Sequence, residues 1–126
     1  MLKLLVILVI AALVTVTLPQ VFAAEFEVYT NQQIYSTPHP LYIYGTGDPN
    51  TPLVLRLYTP DGSTAEFKQI IVNSDGTFNL KLLDWPESST EFPYGTYTIE
   101  ATPQLGPPKT VDIKFAASSE LQHIPI

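Results

Sequence analysis

Apolar and polar residues alternate with a period of two through most of the chain. Phe26 and Val28 share one side of a stretch that ends at Thr30. Leu41 and Ile43 do the same, with Tyr42 and Tyr44 on the opposite side. Leu53, Leu55 and Leu57 alternate with Val54, Arg56 and Tyr58. Phe78, Leu80 and Leu82 follow, then Tyr97, Ile99 and Ala101, then Val111, Ile113 and Phe115. This is the pattern of half-buried strands, and no stretch between residues 40 and 115 carries the 3.6-residue spacing of an amphipathic helix. Between Thr64 and Val72 the phase slips. Ala65 and Phe67 agree with each other, as do Ile70 and Val72, and a bulge near Lys68 or Gln69 would reconcile the two halves.

Turn chemistry separates these stretches. Gly45 to Pro52 is dense in Gly, Asp, Pro and Asn. Thr59-Pro60-Asp61-Gly62-Ser63 and Asn73-Ser74-Asp75-Gly76 are hairpin signals. Asn31 to Pro40 is polar, and Pro38 and Pro40 lack the ladder donor, so an irregular edge crossing is expected there. Asp84 to Phe92 is the longest connection and holds the single tryptophan, Trp85, expected to plug one end of the core. Seven strands spaced by turns predict an all-β fold, a seven-stranded Ig-like Greek-key β-sandwich. A closed up-and-down barrel is the alternative. Pro93-Tyr94-Gly95-Thr96-Tyr97 matters most: a turn leads into a strand whose first inward residue is tyrosine. Tyr97 is expected to pack in the core and return its hydroxyl to the backbone, as in a tyrosine corner.

The N-terminus follows another pattern. Met1-Leu2-Lys3 precedes an uncharged, mostly apolar run to Leu18, which Pro19 interrupts before Val21-Phe22-Ala23. This predicts a signal-peptide helix over 1–23, an Ig-like domain over 24–115 and a loose tail over 116–126. If uncleaved, the leader would serve as a membrane anchor; otherwise no membrane partner is expected. Loss of Lys3 leaves five basic and twelve acidic side chains, a net charge of −7. That balance disfavours nucleic acid and anionic lipid as partners. The chain has no cysteine, so a sandwich this small must hold by its core alone or with a partner's help.

Several motifs fall in the order found in macroglobulin-type and bacterial or archaeal Ig-like surface domains. The run from Tyr29 through Asn31 and Tyr35 to Gly45 resembles their opening strands. Tyr58-Thr59-Pro60-Asp61-Gly62, Asp75-Gly76-Thr77-Phe78 and Pro93-Tyr94-Gly95-Thr96-Tyr97-Thr98 follow in matching positions. The likeness spans Phe26 to Phe115, and it departs from the family where Pro38-His39-Pro40 replaces the usual Gly-Asp. The resemblance implies a non-catalytic module of a secreted or cell-surface protein.

Candidate chemistry is sparse. His39 sits between prolines, and His123 lies in the tail. Neither has a serine or carboxylate at a recognisable spacing, and Glu87 and Glu91 flank a loop with nothing to fix their separation, so no enzyme is expected. No cofactor and no resident metal are expected either. A calcium site would form only if Asp48 and Asp84 met at one end of the sandwich. The outward aromatics Tyr42, Tyr44 and Tyr58, with Trp85, are the candidate binding residues for an extracellular protein or glycan. The reading is an exported, non-catalytic binding or adhesion module at the cell surface or in the extracellular space. The alternatives are a structural subunit of an extracellular assembly and a carbohydrate-binding accessory domain.

Overall fold

A computed structural model describes residues 25–118. The expected leader helix over 1–23 and the tail beyond Ser118 lie outside the described residues. The described residues form eight strands: β1 (Glu27–Thr30), β2 (Ile34–Tyr35), β3 (Pro40–Thr46), β4 (Pro52–Tyr58), β5 (Thr64–Ile71), β6 (Thr77–Asp84), β7 (Gly95–Pro103) and β8 (Lys109–Phe115). They form a three-stranded sheet ordered β1-β3-β6 and a five-stranded sheet ordered β2-β8-β7-β4-β5. Every pairing is antiparallel except the two-residue contact of β2 with β8.

The core is the alternation made solid. Leu41 and Ile43 of β3, and Phe78 and Leu82 of β6, face Leu53, Leu55 and Leu57 of β4 and Tyr97, Ile99 and Ala101 of β7. All are buried. Greek-key crossing between the sheets places sequence neighbours on opposite layers, so each apolar face finds a partner that is not its own hairpin.

Three features depart from the expectation. β2 is an eighth strand inside the stretch expected to be irregular. The chain leaves the three-stranded sheet after β1 and touches the five-stranded sheet before β3 begins, and Asn31 braces this crossing. The Tyr35 hydroxyl donates to Asn31 Oδ1 at 2.6 Å, the Tyr42 amide donates to the same oxygen at 3.0 Å, and Asn31 Nδ2 donates to the Pro40 carbonyl at 3.2 Å. One amide side chain thus replaces the ladder that Pro38 and Pro40 cannot make. Second, the bulge in β5 lies at Ala65, not at Lys68 or Gln69, because Leu57 pairs with Glu66 while Tyr58 pairs with Thr64. From Glu66 to Ile71 the pairing is unbroken, which turns Phe67 outward and Ile70 inward. Third, β6 carries a register shift opposite Leu41 and Tyr42, leaving Leu82 as the extra residue.

Tyr97 forms the expected corner. Its ring is buried and its hydroxyl donates to the Pro93 carbonyl at 2.7 Å. Gly95 makes the bend possible at φ 145°, where a side chain would also strike Pro60 Cγ at 2.8 Å. Gly45 serves a different need. A Cβ there would lie 1.9 Å from the Glu27 carbonyl oxygen, so only glycine lets β1 lie on β3.

Strand directions give the sandwich two ends. β1 starts beside Thr46, so the chain enters where the β3–β4, β5–β6 and β7–β8 loops gather. β8 finishes beside Gly95, so it leaves at the opposite end, about 25–30 Å away by strand rise.

Candidate functional site

The outer face of the three-stranded sheet carries a tyrosine cluster. Tyr44 of β3 lies directly opposite Tyr29 of β1, their ring centroids 5.6 Å apart and tilted by 31°. Tyr42, two residues from Tyr44, shares the face and lies across from Lys81. Exposures are 46% for Tyr29, 39% for Tyr42 and 41% for Tyr44, high for large rings. The Tyr29 hydroxyl donates to the Glu27 carboxylate at 2.5 Å. That hydrogen bond, then partial desolvation and neighbouring negative charge, holds the Tyr29 phenol above its ordinary pKa. Such a face offers flat apolar rings with polar rims and a carboxylate, a surface suited to protein or sugar contact.

Sequence expectation found two of these three rings. Tyr29 was legible only from parity, since it lies opposite in phase to Val28. Tyr58 belongs elsewhere. The loop from Gly47 to Thr51 carries the chain across to the other sheet instead of folding it back as a hairpin, so β3 and β4 turn their outer faces away from each other. Tyr58 stands on the five-stranded face, its hydroxyl 3.3 Å from Glu100 Oε1. Arg56 pairs with the same carboxylate at 3.5 Å and lies 5.5 Å from the Phe67 ring centroid. The expected single cluster of Tyr42, Tyr44 and Tyr58 is therefore divided between two opposite faces.

Trp85 is a core residue, 1% exposed. It stacks on Phe115 at 4.6 Å, meets Tyr97 edge-on at 4.9 Å and lies 5.7 Å from Tyr35. Its backbone amide donates to the His39 carbonyl at 2.9 Å, which closes this end of the sandwich. Its Nε1 finds no hydrogen-bond partner among the described residues. A ligand on the outer surface cannot reach it, and its place is the plug that the sequence suggested.

The two candidate calcium ligands do not meet. Asp48 lies in the entry-end loop that follows β3, while Asp84 is paired with Pro40 at the other end of that strand, roughly 20 Å distant by strand rise. Asp84 instead pairs with Lys81 at 3.1 Å. Other aspartates act as turn braces. Asp61 accepts from the Thr59 hydroxyl and the Ser63 amide, and Asp75 accepts from the Thr77 hydroxyl and amide. These bonds hold both carboxyls below the usual range. His39 Nδ1 lies 3.3 Å from Ser36 Oγ, a contact within one short loop.

Each end of the sandwich has a cleft. The entry-end cavity, about 330 Å³, is apolar and lined by Phe26, Leu53, Val72, Pro103 and Leu105. The exit-end cavity, about 320 Å³, is polar and lined by Asp61, Ser63, Thr90 and Glu91. The two are alike in size and opposite in chemistry.

No protein-family model matches the chain. It is 28% identical over 120 residues to S-layer protein B of Metallosphaera sedula, covering 94% of this chain and 27% of that protein. Among solved structures it superposes on the native conformation of the E. coli alpha-2-macroglobulin with a TM-score of 0.58 and 15% identity. A Salmonella alpha-2-macroglobulin gives 0.57 and 14%. Each superposition covers 75% of this chain and 6% of the larger one. The chain thus spans about a quarter of its curated relative and a small part of either macroglobulin. Its described residues share the β-sandwich fold of the matched macroglobulin segments.

Proposed function

We propose that this chain is an exported, non-catalytic structural module of a cell-surface layer. The observation that carries this reading is the likeness to an S-layer protein along 94% of the chain. Three features support it. The leader pattern at Met1–Ala23 suits export. The acidic, cysteine-free composition suits a module that needs neither nucleic acid nor a disulfide. The described chain enters at one end of the sandwich and leaves at the other, which suits a unit set in line with neighbouring segments. Extraction of the surface layer from the producing cells tests the proposal. The chain is expected in that extract with a mature N-terminus near Ala24. Recovery from the cytosol with Met1 intact would overturn it.

A second reading rests on Tyr29, Tyr42 and Tyr44. Rings exposed on one sheet face are a platform for a partner protein or a glycan. Replacing Tyr42 and Tyr44 together by alanine is expected to abolish retention on the isolated layer or its glycan while leaving the fold intact. Unchanged retention would remove the tyrosine face from the account.

A further inference from the structure

The outermost strand of the five-stranded sheet, β5, has one side paired and, among the described residues, one side open. Two of the other three edge strands are shorter. β1 has four residues and β2 has two. β6 has eight, as β5 does. β5 carries Phe67 at 51% exposure and Ile71 at 59%, both on the outer face. Long open edges with exposed apolar residues are templates for pairing with another chain.

The hydrogen-bonding phase of this edge can be read directly. The Val72 amide donates to the Thr51 carbonyl at 2.9 Å, so even-numbered residues spend their backbone groups on β4. Odd-numbered residues therefore turn theirs to the open side. Phe67 agrees: its amide is met only by its own neighbour's carboxylate, Glu66 Oε1, at 3.3 Å. A second strand could replace that contact.

Charge then selects the partner. Glu66 and Lys68 lie two residues apart, on the same face, with Phe67 between them on the other. We propose that β5 pairs antiparallel with β5 of a second copy of this chain, about a two-fold axis through Phe67. In that register Phe67 faces Phe67 of the second copy as a hydrogen-bonded pair, with Cα atoms about 5.5 Å apart. Glu66 of each copy lies opposite Lys68 of the other as the closer, non-hydrogen-bonded pair, about 4.5 Å between Cα atoms. Both salt bridges form from one symmetry operation. Lys68 Nζ already donates to the Lys81 carbonyl at 3.0 Å, and an ammonium has donors to spare for a carboxylate. Arg56, lying over Phe67, backs the aromatic contact.

Alternative registers fare worse. An axis through Glu66 or Lys68 sets like charges face to face and ignores the open-edge phase. An axis through Gln69 opposes Lys68 to Ile70. β6 offers no equivalent, because its charges, Lys81 and Asp84, already pair with each other at 3.1 Å on one face, across the bulge at Leu82. The bulge at Ala65 limits the ribbon on one side. The contact is consequently short, and its population rises with protein concentration. A sheet edge pairs by backbone geometry wherever the chain resides, so this inference stands apart from the surface-layer reading.

Two experiments on the full chain test it. The chain has no cysteine, so F67C and I71C each introduce one thiol. Under mild oxidation F67C is expected to form a disulfide-linked dimer at least about tenfold faster than I71C, whose two copies stand far apart in this register. Equal cross-linking at both positions, or none at 67, overturns the proposal. In sedimentation, K68E is expected to weaken dimerisation by about tenfold or more, since it opposes two carboxylates, and E66K/K68E is expected to restore it. Unaltered association in K68E, failure of the double variant to recover, or a monomer at every concentration overturns it.

Discussion

The two ends of the sandwich are built by different means. The exit end is packed with rings beside its polar cleft: Tyr35, Trp85, Tyr97 and Phe115 are all buried, and Tyr94 lies 5.0 Å from Phe115. The entry end is closed by glycine-rich loops around an apolar cavity of about 330 Å³, with Leu105 80% exposed at its rim. One end is welded by rings in contact; the other is a fringe of loops tied by single hydrogen bonds such as the Gly47 amide to the Gly76 carbonyl at 2.9 Å. Both ends close the same two sheets, so the contrast shows where a small cysteine-free sandwich concentrates its packing. Stability resides where large rings interlock, and loops at the opposite end are left to vary.

The comparison breaks most readily at Trp85. Trp85→Ala removes the shared ring from three contacts and is expected to destabilise by about 3–5 kcal/mol, read by denaturant unfolding. Trp85→Phe is expected to cost less than half as much, because it keeps a ring on Phe115 and removes the indole N–H that lacks a partner. Next is Gly45→Ala, which drives a methyl into the Glu27 carbonyl. It is expected to cost about 1–3 kcal/mol, with amide exchange accelerated in β1 and unchanged in β7.

Tyr97→Phe is milder. It removes one hydroxyl bonded to the Pro93 carbonyl, about 1 kcal/mol by thermal unfolding. It also blunts an alkaline transition. Burial first, then the negative charge of Asp61, pushes the Tyr97 phenol up to about 12 from 10.0. Burial likewise raises Tyr35. A phenol whose pKa is higher folded than unfolded holds its proton more tightly when folded. The stability it contributes is whole below pH 10 and falls as pH rises toward 12. The wild-type chain is expected to lose stability across that window, and Tyr97→Phe to lose less. Smallest is Leu105→Ser at the entry end, within about 0.5 kcal/mol of wild type, since the side chain is already in solvent.

Much of this architecture was legible in the sequence, for a definite reason. Where one strand face is buried, alternation must be kept, and Leu53-Val54-Leu55-Arg56-Leu57 or Tyr97-Thr98-Ile99-Glu100-Ala101 admits only one reading. The tyrosine corner was legible because Gly95 and Tyr97 have a fixed spacing. β2 was not, because two residues carry no period and Pro38 and Pro40 just after them argue for a loop. The bulge lies elsewhere because the shared phase of Ala65 and Phe67 is itself broken at Ala65, and an edge strand can turn a phenylalanine to solvent. The candidate site was half legible. Parity says which side of its own strand Tyr58 occupies, but only the sheet to which β4 belongs says which side of the molecule that is. Trp85 shows the complementary case: a tryptophan in a polar loop suits a ligand or a plug equally until its neighbours are known.

The central claim is that the Tyr97–Trp85–Phe115 cluster anchors the fold and the entry end does not. Residue-resolved amide exchange measures this directly. Amides of Tyr97, Ile99 and Ile113 are expected to exchange only through global unfolding, while those of Val28 and the residues from Gly47 to Thr51 exchange through local opening at far lower free energy. Equal protection at the two ends, or slower exchange at the entry end, would contradict it.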